Sequence, residues 1–205
     1  MTTADDVRTA VSLAAATLRT AVGRDWHVPA DGLTWSCWET VEHIADDLFT
    51  YAAQVASENT PPDSHVPIGW RRSRPDGPAL TIYSEDTKNA EGLVQVLESS
   101  GGLLAAVVTV APPERRAFHP YGASDPAGFA AMGVVETLVH LHDVAVALDL
   151  PWAPPEELCD RALRRLFREA PTTTGRWPTL LWATGRGDLP GHPRRTDWKW
   201  DGTPA

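Results

Sequence analysis

The side chains most able to do chemistry are Glu136, His140 and Asp143, in and beside an otherwise apolar stretch, residues 134–141. On a helix, spacings of four and three residues place side chains on neighbouring parts of one face. A carboxylate in an apolar helix costs several kcal/mol unless a partner compensates its charge. Glu136 and His140 can bind one divalent cation together, through a carboxylate oxygen and an imidazole nitrogen. The alternative is a buried glutamate that hydrogen-bonds His140 or an arginine, without any metal.

A third metal ligand must come from another element, and His43 is the natural candidate because it lies in the apolar stripe of a second predicted helix. Alone, a histidine there is more often a satisfied core residue. Asp46 and Asp47 follow one turn later and either orient His43 or face water, and we favour water. His142 points to a different side of its helix from His140 and is interpreted as structural. The other histidines lie in loop-like passages and are less favoured: His27, His65, His119 and His192.

The elements that must position these side chains are helices, because apolar residues recur at helical spacing in five segments. The predicted segments are 3–23, 36–57, 83–110, 125–148 and 155–169. Gly101 and Gly102 predict a kink or a break in the third helix. The proline-rich passage 58–78 cannot be one regular element and is long enough to form a wall or lid over a site. We therefore predict an all-α, up-and-down helical bundle over residues 1–170, with a Trp/Arg-rich tail, 171–205, packed on it.

Composition excludes several classes of function. The chain has 205 residues, 42% of them hydrophobic, which is enough for one domain with its own core. A net charge of −9 disfavours nucleic acids and anionic membranes as partners. The longest apolar run, Leu103–Ala111, is about half of a membrane span, and Asp5 and Asp6 do not fit a signal peptide. We expect a cytoplasmic protein, in which Cys37 and Cys159 are buried thiols rather than nucleophiles.

Two motifs resemble those of the DinB-like metalloproteins, specifically the mycothiol-dependent maleylpyruvate isomerase-like branch. The first is WSCWETVEHIA, residues 35–45, and the second is ETLVHLHD, residues 136–143. The resemblance spans about residues 7–150. It implies a DinB-like four-helix bundle in which His43, Glu136 and His140 bind a divalent metal, usually zinc, with nickel or another ion possible.

The same resemblance implies a thiol cosubstrate, mycothiol, and a small electrophilic second substrate. Asp143 would then contact the thiol or His140 from outside the metal, or else be a surface residue near a helix end. Arginines that some members use to hold substrate have candidates in Arg71, Arg72 and Arg74. The branch often carries a C-terminal domain where this chain has its tail. The tail's tryptophans either wall the pocket or, as we favour, pack the tail onto the bundle: Trp177, Trp182, Trp198 and Trp200.

Three functions remain open at this stage. The first is a metal-dependent thiol S-transferase or isomerase of the mycothiol type. The second is a metal-dependent hydrolase that uses bound water instead of a thiol. The third is a non-catalytic bundle that binds a small ligand in its pocket. Bundles of this size often dimerise, so a homodimer is also an open outcome.

Overall fold

The computed structural model of the protein is mostly helical and describes residues 1–61 and 63–204. Within these residues it has six helices: α1 (Ala4–Arg19), α2 (Cys37–Ala56), α3 (Ala90–Val110), α4 (Pro126–Ala147), α5 (Glu156–Leu166) and α6 (Arg176–Ala183). Two strands of two residues, β1 (Arg71–Arg72) and β2 (Ala79–Leu80), pair antiparallel between α2 and α3.

Helix α4 lies at the centre of the packing. Helices α1 and α2 each pack against both α3 and α4, while α5 packs on α4 and α6 packs on α5. Nearly all of α4 is buried, as its almost continuous apolar sequence predicts. Any polar side chain of α4 therefore needs a partner inside the protein.

The two helices with candidate site residues begin at well-defined caps. Ser36 accepts a hydrogen bond from the Glu39 backbone N–H, and the Glu39 carboxylate accepts one from the Ser36 N–H, which is the predicted capping box. Asp125 caps α4 by accepting from the Gly128 N–H, with Pro126 in the first turn. These caps fix the point at which each helix starts, and so which face carries each later residue.

Several expectations about the helices are wrong, beginning with α1, which ends at Arg19 rather than at Gly23. Helix α3 begins at Ala90 instead of near Tyr83, because the Asn89 side chain caps it by accepting from the Gly92 N–H. The helix continues through the glycine pair, since Gly101 serves packing: a Cβ there would come within 2.6 Å of Cγ2 of Val11 on α1. Helix α5 ends at Leu166, earlier than predicted, and α6 forms inside the tail, where no helix is predicted.

Two helices, α3 and α4, are long and apolar enough to cross a membrane by length and composition. Neither helix is an uninterrupted apolar run, because a few polar residues interrupt each sequence. The most apolar window of α4 is 89% buried inside the protein, and that of α3 is 39% buried. The burial of α4 is typical of the core helix of a folded protein, and such a helix can also have the length and composition of a membrane span.

The segment that carries the strands is fixed to one face of α2 by carboxylates. Asp46 accepts from the backbone N–H groups of Thr81, at 2.7 Å, and Ile82, at 2.8 Å. Glu42 accepts from the Ser84 N–H at 3.0 Å. These buried carboxylates hold the chain that leads into α3 against α2.

Candidate metal centre

His43 of α2 and Glu136 and His140 of α4 meet in the interior, and these three could hold a metal ion. One ligand atom from each lies within 4.8 Å of the other two. Nε2 of His140 is 3.0 Å from Oε2 of Glu136, and the two imidazole rings are nearly perpendicular with centroids 4.9 Å apart. The cluster joins two helices that are far apart in sequence and in contact in the fold. The donors are two imidazoles and one carboxylate, a set that suits zinc and other divalent metals.

The protonation states of two of the three candidate ligands, His43 and Glu136, suit a cation. Burial lowers the pKa of His43 to about 4, and the positive charge of His140 acts in the same direction, so His43 is a neutral imidazole. Burial alone would raise the pKa of Glu136, but the hydrogen bond and charge of His140 outweigh it, and the pKa is lowered. A neutral imidazole and an ionised carboxylate are the forms in which these residues bind metals.

The far side of the His140 ring is held by Asp143. Nδ1 of His140 lies 3.2 Å from Oδ2 of Asp143, and Arg186 donates to both oxygens of that carboxylate, at 2.9 Å from Nε and 2.8 Å from the second terminal nitrogen. Burial would raise the pKa of Asp143, but hydrogen bonds from His140 and Arg186 lower it overall. The predicted outer contact of Asp143 with His140 is therefore present, and the surface alternative is wrong because Asp143 is buried.

The prediction that Asp47 faces water is wrong. Its side chain is mostly buried, and Oδ2 lies 3.3 Å from Nε2 of His43. Burial raises the pKa of Asp47 well above its ordinary range, and the charges of Glu136 and Asp46 add to that effect. The same prediction is wrong for Asp46, which is buried on the side of α2 that faces the strands. There it accepts hydrogen bonds from the backbone N–H groups of Thr81 and Ile82.

The cluster opens into a cavity of about 720 Å³, within the usual size range of small-molecule sites. Besides the three candidate ligands and Asp143, it is lined by His142, by other residues of α2, and by residues from the loop before α2, the loop before α4 and the tail. Two of the tail's tryptophans, Trp198 and Trp200, are in this wall, whereas Trp177 and Trp182 are not. The favoured expectation that the tail tryptophans only pack on the bundle is therefore wrong for this pair.

Sequence reasoning missed three other parts of the cavity wall. Arg186 follows α6, and Tyr51 lies on α2 two turns beyond His43. His119 comes from the loop 111–125, and burial lowers its pKa to about 4. Only Tyr51 has a periodic signal, because His43, Asp47 and Tyr51 follow one another at spacings of four.

The arginines proposed to hold substrate, and the described part of the segment proposed as a wall or lid, do not line the cavity with the metal cluster. Arg74 donates two hydrogen bonds to Glu39 and, with Arg71, lines a separate cavity of about 580 Å³ at the start of α2. Arg72 donates to the Gly77 carbonyl within the hairpin. Among the described residues of 58–78, none lines the cavity with the metal cluster. The loop before α2, the loop before α4 and the tail line that cavity instead.

The remaining sequence interpretations concern His142 and the cysteines. His142 lies at the cavity edge with its ring 5.6 Å from that of Trp177, away from the cluster, as its spacing indicates. Cys37 and Cys159 are buried, and burial raises their thiol pKa values to about 11 and about 12. Neither is a favourable nucleophile near neutral pH.

Comparison with known proteins finds no matching family model, no matching curated protein and no matching solved structure. The function is therefore inferred from the geometry of the cavity.

Proposed function

We propose that this protein is a DinB-like metalloprotein that binds one divalent metal, zinc foremost, at His43, Glu136 and His140, and uses it to activate a thiol of the mycothiol type. The reaction we propose is S-transfer to, or isomerisation of, a small electrophilic substrate. The observation that carries the proposal is the convergence of three metal-ligating side chains from two helices at the wall of one cavity.

The outer contacts of the cluster support a metal more than a simple hydrogen-bonded pair. A metal-ligating histidine usually donates its second ring nitrogen to a carboxylate, and Nδ1 of His140 faces Asp143 in this way. Nε2 of the same ring is then directed towards Glu136 and the cluster. His43 is neutral at physiological pH because of burial, so no proton has to be displaced from it.

The arrangement leaves room for a cosubstrate. Three protein ligands are the pattern of catalytic zinc sites, which keep a position open. When bound, a divalent cation favours the thiolate form of a thiol over the neutral form. The protein's own groups supply the surroundings: Arg186 and Asp143 hold His140 in orientation, and burial raises the pKa of Tyr51, so its hydroxyl stays protonated as a hydrogen-bond donor in the cavity wall.

The packing of the four long helices supports the finer fold proposal. Helices α1 and α2 each contact α3 and α4, and the candidate ligands lie on facing sides of α2 and α4. Bundles commonly build metal sites in their cores from side chains on facing helices. We accordingly propose the DinB-like up-and-down four-helix bundle for α1 to α4, with α5 and α6 packed outside.

The test is thiol-dependent consumption of an electrophile, such as a bimane, by protein first stripped of metal and then supplied with zinc. We expect activity only with both zinc and a low-molecular-weight thiol, with mycothiol preferred over cysteine. His43→Ala should abolish it. His27→Ala, which changes an exposed histidine outside the cavity, is the matched control and should leave it unchanged.

Two results would contradict the proposal. Equal activity of metal-free and zinc-supplied protein would remove the metal from the reaction. Zinc-dependent turnover of an ester or amide without any thiol would select the hydrolase instead, in which bound water takes the place of the thiol.

A further inference from the structure

Five of the side chains that line the cavity with the metal cluster are neighbouring aromatic rings. We call this group the aromatic wall, and its members are Tyr51, His119, Tyr121, Trp198 and Trp200. The rings form one connected set: the His119 centroid lies 5.4 Å from those of Tyr121 and Trp200 and 6.0 Å from that of Tyr51, and Trp198 lies 6.0 Å from Trp200. The members come from three separate segments of the chain.

Backbone hydrogen bonds fix the tail's part of this wall. The Gly202 N–H donates to the Tyr121 carbonyl at 2.9 Å, and the Asp201 N–H donates to the Leu166 carbonyl at 2.9 Å. The buried Arg165 guanidinium donates to the Gly202 carbonyl and pairs with Asp125 at the start of α4. The two residues that directly follow Trp200 are therefore fixed to α5 and to the loop before α4.

Two of the five rings of the aromatic wall are not fully covered by their neighbours. Tyr51, His119 and Trp200 are buried, but Tyr121 is 42% exposed and Trp198 is only half-buried. Rings that serve only to pack a tail are covered by their neighbours, because exposing them forfeits the apolar area that makes packing favourable. Exposed rings on a wall that is otherwise fixed indicate a binding surface.

The distance from the aromatic wall to the metal cluster suits one small molecule. His43 and Tyr51 lie eight residues apart on α2, which corresponds to about 12 Å along a helix. A ligand of one or two rings would reach from the aromatic wall to the cluster.

We propose that the aromatic wall binds a planar aromatic group of the electrophilic substrate and so presents its reactive carbon to the metal cluster. Aromatic rings attract other rings in edge-to-face or offset geometry, and the tilts of 36° to 78° around Trp200 present both edges and faces.

The chemical consequence rests on the proposed function. With a chlorodinitroarene, the thiol sulfur forms a bond to the ring carbon, the carbon–chlorine bond breaks, and chloride and the thiol proton leave to solvent. No oxidant or reductant is required. Binding of the ring, by contrast, depends only on residues of this chain, so it can be tested without metal or thiol.

The experiment is a calorimetric titration of metal-free protein with 2,4-dinitroaniline, an unreactive aromatic probe, and with nitrocyclohexane, a non-planar one. We expect saturable binding of the aromatic probe and at least tenfold weaker binding of nitrocyclohexane. Tyr121→Ala should weaken binding of the aromatic probe about fivefold to tenfold, and Tyr121→Phe should retain it. Tyr83→Ala is the matched control, because Tyr83 is 43% exposed and lines the other cavity.

The outcomes separate this inference from the proposed function. Equal affinity for the two probes, or an equal loss in Tyr121→Ala and Tyr83→Ala, would overturn the aromatic wall even if zinc-dependent thiol transfer is found. Binding as expected, with no thiol transfer under any condition, would support the aromatic wall and contradict the function proposed for the cluster.

Discussion

The protein buries carboxylates in two regions beside α2, and it compensates them in two different ways. On the side that faces the strands, Glu42 and Asp46 accept hydrogen bonds from backbone N–H groups at 2.7 to 3.0 Å. On the side that faces α4, Asp47 and Glu136 have imidazoles as neighbours, His43 at 3.3 Å and His140 at 3.0 Å. Among the described residues, no backbone N–H donates to either of this second pair.

The difference distinguishes an anchor from a candidate site. A backbone N–H does not bind a metal ion, so a carboxylate that accepts its hydrogen bond serves to hold a segment in place. An imidazole can exchange a proton for a metal ion, and a carboxylate next to it gains a second possible partner. Burial alone, which all four carboxylates share, does not identify the functional ones.

The largest contrast in zinc affinity should appear when one buried glutamate in each region is neutralised. We expect Glu136→Gln to lower zinc affinity more than about 100-fold, beyond the tenfold to hundredfold loss typical of outer partners, because it removes a charged ligand. Glu42→Gln should leave zinc affinity unchanged. Competition with a chromophoric chelator measures both, and equal losses would erase the distinction between the regions.

The next effect concerns the contacts behind His140. Asp143→Asn should weaken zinc binding about tenfold to hundredfold, since it removes the charge that orients the ring and binds Arg186. Arg186→Gln should act in the same direction with a smaller loss. Arg194→Gln is the control, because Arg194 lines the same cavity but pairs with the exposed Asp188. A loss in the control as large as in Arg186→Gln would indicate a general electrostatic effect instead.

A smaller contrast, in the opposite direction, is expected for folding stability: the carboxylate that faces the strands should matter more than the one that faces α4. Asp46→Ala should lower the free energy of unfolding of the metal-free protein by about 2 kcal/mol, because two hydrogen bonds to a charged group are lost. Asp47→Ala should cost less, since this carboxylate accepts no backbone hydrogen bond among the described residues and its neighbour, Nε2 of His43, is 3.3 Å away. Urea denaturation of the two variants decides the point. A larger loss for Asp47→Ala would mean that this residue is a structural anchor too.

The smallest effect is a dependence on pH in the metal-free protein. Burial lowers the pKa of His140, but Asp143 and Glu136 outweigh it and raise the pKa above its ordinary 6.5. A raised folded-state pKa stabilises the fold fully below the unfolded-state pKa, and the contribution is lost as pH rises through the folded-state value. His140→Gln should therefore destabilise the metal-free protein more at pH 5.5 than at pH 8.5. The reverse order would show that His140 is held neutral.

Much of the helical fold could be predicted from the sequence, because apolar periodicity and caps such as Ser36 and Asp125 act locally. The grouping of Glu136, His140 and Asp143 is also local, since one helix fixes their spacing. The pairing with His43 depends on which helices pack together; its place in an apolar stripe makes it the natural candidate, and only the family resemblance favours it over a core histidine.

Other parts of the site could not be predicted because they depend on segments without periodicity. Arg186 and Trp200 reach the cavity through the tail, and His119 reaches it through a loop, so no spacing links them to His43. The position of Asp47 could not be predicted either: it was expected to face water, but its side chain is mostly buried beside His43. The segment 58–78 was predicted as a lid on length alone, which does not say which face it covers.

Elemental analysis of protein purified without chelators, then equilibrated with zinc and desalted, tests the central claim most directly. We expect about one zinc per chain in the unaltered protein and in His142→Ala, and almost none in His140→Ala, although these histidines lie two residues apart on α4. Zinc retained by His140→Ala at the level of the unaltered protein, or absent from all three, would contradict a metal site at this cluster.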